Sequence, residues 1–220
     1  MIRSLLILFF TVLVANGQNK NNLNFTSELS AFGLLSVPVG DFASTSSSNQ
    51  SGYAMTGYGF GLDLFLRTEK DISVIVTGLY SSNKFDGNAL LHTANAPQGT
   101  TIDIKNYSLF YLIGGAQIDL SLLEDVRLFG LGQVGILFGS FPGYDANNSG
   151  FTIRMSSSSA SSLALGGGAG VEFLQKIQIR FRYMSSKPTY EGTYSNIQYN
   201  GEYGIEQPTK MMVFSVGYAF

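Results

Sequence analysis

Apolar and polar residues alternate along much of this chain. The clearest case is residues 177–183, where odd-numbered positions are apolar and even-numbered positions are polar or charged. A period of two is typical of a strand with one apolar and one polar face. The pattern leaves the facing of the first strand undecided. It predicts eight strands, at residues 28–37, 54–66, 72–81, 107–120, 126–138, 162–174, 177–183 and 210–220.

Short and long connections alternate strictly between these strands. This order places all short turns at one end of the molecule and all long loops at the other. Odd turn lengths keep outward residues opposite outward residues in neighbouring strands. The strands are therefore expected to form consecutive antiparallel hairpins in one closed sheet. The short connections are residues 67–71, 121–125 and 174–176, and the long ones are 38–53, 82–106, 139–160 and 185–209.

Two barrel architectures fit this pattern, and they differ in which face lies outside. A soluble barrel has an apolar interior, whereas an outer-membrane barrel turns its apolar face to lipid. The apolar face of this chain is too uniform to fill a narrow interior, whereas the Gly, Ser and Ala residues of the other face fit there. We therefore predict an all-β fold, an eight-stranded antiparallel up-and-down transmembrane β-barrel. A secreted soluble β protein is the alternative.

The polar face carries charges of both signs, which a closed interior can pair. We expect these side chains to form a hydrogen-bonded plug, because eight strands leave an interior just wide enough for side chains to fill. The rival interpretation is that they line a narrow polar path. A three-residue turn at 174–176 places Glu172 opposite Gln178. The predicted lumen network consists of Asp63, Arg127, Glu172, Arg180 and Arg182.

The N-terminus has the pattern of a cleaved export signal. Arg3 supplies a positive charge, residues 5–14 form a largely apolar run, and small residues follow up to Gly17. The apolar run is shorter than the ~20 residues that a membrane-spanning helix needs. We predict a signal peptide at residues 1–17 and one outer-membrane β-barrel domain at residues 18–220.

Composition narrows the classes of function. The 220 residues include 13 Lys+Arg and 15 Asp+Glu, for a formal charge of −2, and no Cys. A nucleic-acid partner is not expected without a basic excess. Without Cys there is no disulfide framework and no thiolate metal site. We expect neither a metal nor a cofactor.

The single histidine, His92, is the one candidate for acid–base catalysis. Ser81, Ser82 and Asp86 are its candidate partners by sequence distance alone. Thr-Ala follows His92, so the His-x-Ser pattern of lipid A deacylases is missing. We expect no enzymatic activity, and a lipid-modifying enzyme that uses His92 is the least favoured alternative.

The long loops are the expected seat of function because they would lie outside the membrane. Serine tracts at 44–51 and 156–162 favour flexible, solvated loops. Tyrosines recur in the last loop and predict either an adhesive hairpin or a hairpin stabilised by cross-strand aromatic pairs. These surface-loop aromatics are Tyr190, Tyr194, Tyr199 and Tyr203.

Three short motifs of the chain are distinctive: Val-Pro-Val-Gly-Asp-Phe at 37–42, Gly-Tyr-Gly-Phe-Gly at 57–61 and Val-Gly-Tyr-Ala-Phe at 216–220. They resemble motifs of the outer membrane β-barrel domain families of Gram-negative bacteria, Bacteroidota in particular. The resemblance implies an outer-membrane location and relatives of the OmpA-barrel, OmpX and OmpW kinds. It also implies that Tyr218 and Phe220 form a signal for the barrel-assembly machinery. It implies no single activity, because these families include adhesins, structural proteins, narrow channels and a few lipid enzymes.

We therefore expect an integral outer-membrane protein with a structural or cell-surface adhesion role. A narrow channel for small or hydrophobic solutes is the alternative. The expected partners are outer-membrane lipid, the barrel-assembly machinery during biogenesis, and an extracellular ligand or host surface.

Overall fold

The computed structural model describes residues 26–46, 48, 50–67, 71–196 and 199–220. The predicted signal peptide lies outside this part of the chain. The described residues form thirteen strands, one α-helix (α1, Gly87–Thr93) and one 3-10 helix (Gly40–Phe42). The strands are β1 (Thr26–Pro38), β2 (Ala54–Arg67), β3 (Ile72–Phe85), β4 (Thr101–Ile104), β5 (Tyr107–Leu123), β6 (Val126–Phe141), β7 (Tyr144–Asn148), β8 (Phe151–Met155), β9 (Ser158–Phe173), β10 (Ile177–Ser186), β11 (Thr189–Asn196), β12 (Asn200–Glu206) and β13 (Thr209–Ala219).

Eight of these strands close into an antiparallel barrel, which confirms the predicted architecture. The order around the barrel is β1-β13-β10-β9-β6-β5-β3-β2. Pairing of β1 with β13, from Ser30 opposite Ala219 to Pro38 opposite Met211, closes the sheet. Because β1 and β13 pair, the sheet is closed and has no free strand edge along this pairing.

The remaining five strands form a second sheet in the order β12-β11-β8-β7-β4. They lie in three of the connections that were predicted as long loops, and β11 and β12 form the hairpin predicted for the last of these connections. Strands β4, β7 and β8 were missed because they are only four or five residues long; β4 and β8 alternate, whereas β7 reads Tyr-Asp-Ala-Asn-Asn. We call this sheet the outer sheet, and we call the two ends of the barrel the long-loop end and the short-turn end.

The short turns match their predicted bounds at one of three positions. Strand β2 extends one residue further than predicted, to Arg67. The turn between β9 and β10 has three residues, and Glu172 pairs with Gln178 as predicted. The turn between β5 and β6 is shorter than expected. Strand β5 continues to Leu123, and its register with β6 shifts between Ser121 and Leu123.

Apolar side chains of the barrel point outward, and charged ones point inward. On β10, Ile179 is 47% exposed whereas Arg180 is 2% exposed. On β13, Val216 is exposed whereas Ser215 is buried. Strand β1, whose facing the sequence left open, turns Ser30 and its even-numbered neighbours inward.

The long-loop half of the lumen is filled by large apolar and aromatic side chains. This corrects the expectation that Gly, Ser and Ala fill the interior. Some of these side chains come from the connections: Gly40 turns the chain after β1 with φ +59°, and Phe42 then packs edge-on against Tyr107. We call this cluster the apolar core; it contains Phe32, Leu34, Phe42, Leu79, Tyr107, Leu109, Tyr111, Leu137, Phe141, Met184, Tyr190, Met211 and Val213.

Candidate functional site in the barrel lumen

Two buried arginines share one carboxylate in the middle of the lumen. Arg182 Nη2 lies 3.0 Å from both carboxylate oxygens of Asp63, and Arg180 contacts the same carboxylate. Thr77 Oγ1 donates to Asp63 Oδ1 at 2.5 Å, and Gln133 Nε2 donates to Thr77 Oγ1 at 2.8 Å. We call these five residues the inner cluster.

Aromatic rings surround the inner cluster and help to hold its cations. The Arg180 guanidinium carbon lies 5.4 Å from the Phe65 ring centroid and 5.8 Å from that of Phe129. Phe32 lies 5.1 Å from the Arg182 guanidinium carbon. A ring face within about 6 Å of a guanidinium attracts it, most strongly where water is excluded.

A second ionic cluster lies at the short-turn end of the lumen. Arg67 forms two bonds to Glu28, with Nε at 2.7 Å and Nη2 at 2.9 Å. Its remaining contacts are Asp119 Oδ2 at 3.2 Å and Glu172 Oε2 at 3.1 Å. Arg127 Nη2 lies 3.0 Å from Glu172 Oε1. We call these five residues the mouth cluster.

A continuous line of hydrogen bonds joins the two clusters. Gln178 Nε2 donates to Glu172 Oε2 at 2.6 Å, and Ser30 Oγ donates to Gln178 Oε1 at 3.0 Å. Arg180 Nη2 in turn donates to Ser30 Oγ at 3.3 Å. The described residues of the two clusters carry four arginines and four carboxylates, so their formal charges cancel.

The structure places all five sequence-predicted lumen residues on the inner face of the barrel. Asp63, Arg180 and Arg182 contact one another in the inner cluster. Arg127 and Glu172 contact each other in the mouth cluster.

Sequence reasoning missed three charged members of the lumen. Glu28 begins the strand whose facing was undecided. Arg67 was assigned to a turn, but it is the last residue of β2 and keeps the inward parity of Asp63 and Phe65. Asp119 has the same parity as the inward-facing positions of β5. Among the three missed residues, this parity was the only sequence signal that pointed to the lumen.

A polar cavity of about 240 Å³ opens at the short-turn end and ends at the mouth cluster. Its wall includes Asp71, Ser73 and Glu124 as well as Arg67 and Arg127. Beyond the mouth cluster come the inner cluster and then the apolar core. The lumen is therefore polar at its short-turn end and apolar at its long-loop end.

The candidate catalytic residues do not form a catalytic arrangement. His92 is exposed on α1, where Asp86 Oδ1 accepts a hydrogen bond from the Ala89 backbone N–H. Ser81 is buried and donates to Asn83, and Ser82 Oγ accepts from Asn106 Nδ2. Within the described ranges, no hydrogen bond joins His92 to any of these three. That part of the chain also has no group of three His, Asp or Glu side chains suited to a metal.

The four tyrosines of the last long connection have different environments. Tyr190 is buried, which corrects its assignment as a surface aromatic: its ring enters the apolar core and covers Gly139, where a Cβ would collide with the hydroxyl. Burial is the main cause that raises the pKa of the Tyr190 hydroxyl, and the nearby Tyr111 raises this pKa further. Tyr199 is 67% exposed and Tyr194 is 40% exposed.

Glycines opposite the tyrosines explain how the β11–β12 hairpin packs. Tyr203 lies over Gly192, and Tyr194 lies over Gly201, each across the strand pair. Tyr203 also donates a hydrogen bond from its hydroxyl to the Ser156 carbonyl oxygen at 2.8 Å. A ring that covers a facing glycine shields backbone that has no side chain of its own. The hairpin is therefore stabilised by aromatic–glycine pairs, rather than by the expected aromatic–aromatic pairs.

The terminal aromatics lie on the outer wall at the short-turn end. The rings of Tyr218 and Phe220 are 5.3 Å apart between centroids, and Lys176 Nζ lies 5.7 Å from the Tyr218 centroid. Both rings are exposed. Their role as an assembly signal stays a prediction.

The fold is shared with solved outer-membrane proteins. A major outer membrane protein from Thermus thermophilus is 11% identical with a TM-score of 0.53, over 89% of this chain and 100% of that one. The attachment invasion locus protein Ail of Yersinia pestis, in complex with the heparin analogue sucrose octasulfate, is 18% identical with a TM-score of 0.50, over 90% of this chain and 99% of that one. At these identities the likeness concerns the fold alone.

Sequence comparisons add no finer assignment. No protein-family model matches the chain, and no curated protein matches it. The fold defines the class as a closed eight-stranded antiparallel barrel, a fold that the outer membrane protein from Thermus thermophilus shares. Of the described helices, none is long and apolar enough to cross a bilayer.

Proposed function

We propose that this protein is an integral outer-membrane barrel whose sealed lumen anchors an outer sheet used for cell-surface interaction. The observation that carries the proposal is the filling of the lumen by two different barriers in series. The apolar core fills the long-loop half, and the inner and mouth clusters fill the short-turn half. An eight-stranded barrel has an interior that side chains can fill, and here they fill it.

The orientation follows from the connections. In outer-membrane barrels the short turns lie on the periplasmic side and the longer loops on the extracellular side. With the same orientation, the outer sheet lies outside the cell and the polar cavity opens toward the periplasm. An exposed band of Leu, Ile, Val and Phe around the barrel supports its contact with lipid.

The outer sheet is the part of the molecule best placed for interaction. Its five strands lie next in the chain to barrel strands β5, β6, β9, β10 and β13, all at the long-loop end. Strand β12 pairs only with β11 among the described strands, so one of its edges is open. Exposed Tyr199, Glu191 and Glu202 lie on this hairpin. Loops and edges held by a rigid scaffold are common binding surfaces.

The test shortens the hairpin without removing Tyr190 from the apolar core. Residues 193–202 are replaced by Asn-Gly, a two-residue turn that suits an antiparallel hairpin. Cells that display this variant should lose adhesion to sister cells or host-cell monolayers, while the barrel still shows heat-modifiable migration. Full adhesion by a displayed, folded variant would contradict the proposal.

A narrow channel is the second candidate, and the polar cavity at the short-turn end is the observation that favours it. For a channel, the wild-type protein must conduct in planar bilayers. The two barriers in series predict no stable conductance steps. Reproducible wild-type steps would favour the channel over the sealed anchor.

A further inference from the structure

The outer wall of the barrel carries a groove near its long-loop end. The groove has a volume of about 430 Å³ and crosses strands β3, β5, β6 and β9. Its aromatic and serine side chains point away from the lumen, since they have the outward parity of their strands. Aromatic rings and serine hydroxyls line it, namely Tyr80, Phe110, Phe138, Ser108, Ser140 and Ser161.

The groove joins the lipid-facing band. Directly below it on the same strands lie the exposed side chains of Ile136, Leu163 and Leu165. Ile136 pairs with Leu163, and Phe138 pairs with Ser161 one step closer to the long-loop end. An acyl chain that lies along Ile136 and Leu163 therefore carries its headgroup to the level of the serines.

Small residues on β9 create the depression. Ser159 and Ser161 occupy the outward positions above Leu163, whereas the neighbouring strands carry Phe110 and Phe138, whose ring centroids are 6.3 Å apart. Pairing of β9 with β10 ends at Ala164, so the segment of β9 that lines the groove lies beyond that pairing and pairs with β6.

The lining identifies the headgroup chemistry. None of the described residues that line the groove is charged, so the groove offers no ionic partner to a phosphate. Serine hydroxyls both donate and accept, which suits the hydroxyls of a sugar. Ring faces beside them can cover the apolar face of a sugar, as amphipathic aromatic side chains do at membrane interfaces.

We propose that the groove binds one outer-leaflet lipid whose headgroup is an uncharged saccharide. The acyl chain packs on Ile136 and Leu163, the sugar ring covers Phe138, and the sugar hydroxyls bond to Ser108, Ser140 and Ser161. This site is on the outside of the wall and is independent of the lumen and of the outer sheet.

The experiment uses native mass spectrometry of the whole barrel released from detergent micelles. The probes are monogalactosyl diacylglycerol, phosphatidylglycerol and phosphatidylethanolamine with matched acyl chains. The wild-type protein should retain one galactolipid, with about a fivefold preference over either phospholipid, which corresponds to about 1 kcal/mol. An equal or greater retention of phosphatidylglycerol would overturn the proposal.

Two groove variants and a matched control test the location. Ser161→Leu fills the groove while extending the apolar band, and Phe138→Ala removes its ring; each should abolish the preference. Phe181→Ala removes a ring from the Phe181–Phe214 pair on β10 and β13, whose centroids are 5.3 Å apart. This control variant should keep the galactolipid preference. A preference that survives both groove variants would show general adsorption and would overturn the assigned site.

Discussion

Asp63 on β2 and Arg182 on β10 meet across the lumen, with Arg182 Nη2 3.0 Å from each carboxylate oxygen. Two strands, β1 and β13, separate β2 from β10 in the barrel wall. Both side chains are fully buried. A charge pair that spans the interior fixes the distance between opposite walls, and its loss leaves an uncompensated charge out of reach of water.

Asp63→Asn should destabilise the barrel strongly, because it leaves Arg180 and Arg182 buried without a carboxylate. Loss of one partner of a buried ion pair costs about 3–5 kcal/mol. Urea unfolding, followed by the loss of heat-modifiable migration, measures the change. Glu206→Gln is the matched control, because the Glu206 carboxylate pairs with Lys187 Nζ at 2.7 Å and both side chains are exposed. It should shift the urea midpoint little. Equal midpoints for the two variants would contradict the role of Asp63.

Arg67→Ala should open the short-turn end of the lumen without making the barrel conduct. Arg67 contacts three carboxylates, on Glu28, Asp119 and Glu172, so its removal leaves Arg127 as the one cation of the mouth cluster facing three anions. The apolar core beyond them is untouched. Planar bilayer recording should show no open steps, while unfolding occurs at lower urea concentration. Open steps from this variant would show that the mouth cluster alone seals the lumen.

Tyr190→Ala should destabilise the barrel, whereas Tyr199→Ala should not. The Tyr190 ring fills the apolar core beside Phe141, with 5.5 Å between centroids, and Tyr199 lies in solvent. Truncation of a large buried aromatic costs about 3–5 kcal/mol. Thermal unfolding of the two variants in the same detergent distinguishes them. A Tyr190→Ala melting temperature equal to that of Tyr199→Ala would show that the ring contributes nothing to packing.

Phe220→Ala should lower the amount of assembled barrel in cells without changing its stability in detergent. Phe220 is 76% exposed, so its substitution leaves the packing of the barrel interior unchanged. The prediction therefore separates an assembly signal from a structural contact. Folded barrel in membranes is quantified beside the refolding yield of the purified chain. A parallel loss in both would assign Phe220 a structural role instead.

The wall of the barrel could be predicted from the sequence, because lipid-facing and lumen-facing positions alternate along each strand and favour different kinds of side chain. Strand β10 shows this without exception from Ile177 to Tyr183. Strand β1 could not be oriented, because Phe32 and Leu34 face the apolar core while Leu29 and Leu35 face outward. Both of its faces are therefore apolar.

The lumen could be predicted where a charge shares clear parity with its strand, which includes Arg127 and Glu172 close to strand ends. Asp63, Arg180 and Arg182 have clear parity with their neighbours. Arg67 lies at the last position of β2, where the sequence shows no boundary between strand and turn. The burial of Tyr190 depends on how β11 enters the space above Gly139, which is a tertiary relationship that alternation does not encode.

Single cysteines test the orientation of the wall most directly, because the chain has no Cys of its own. Val216→Cys and Ser215→Cys lie next to each other on β13, one outward and one inward. In bilayers, a lipid-soluble maleimide should label Val216→Cys, while Ser215→Cys should resist both that reagent and a water-soluble maleimide. Labelling of Ser215→Cys from the lipid, with Val216→Cys protected, would contradict the whole account.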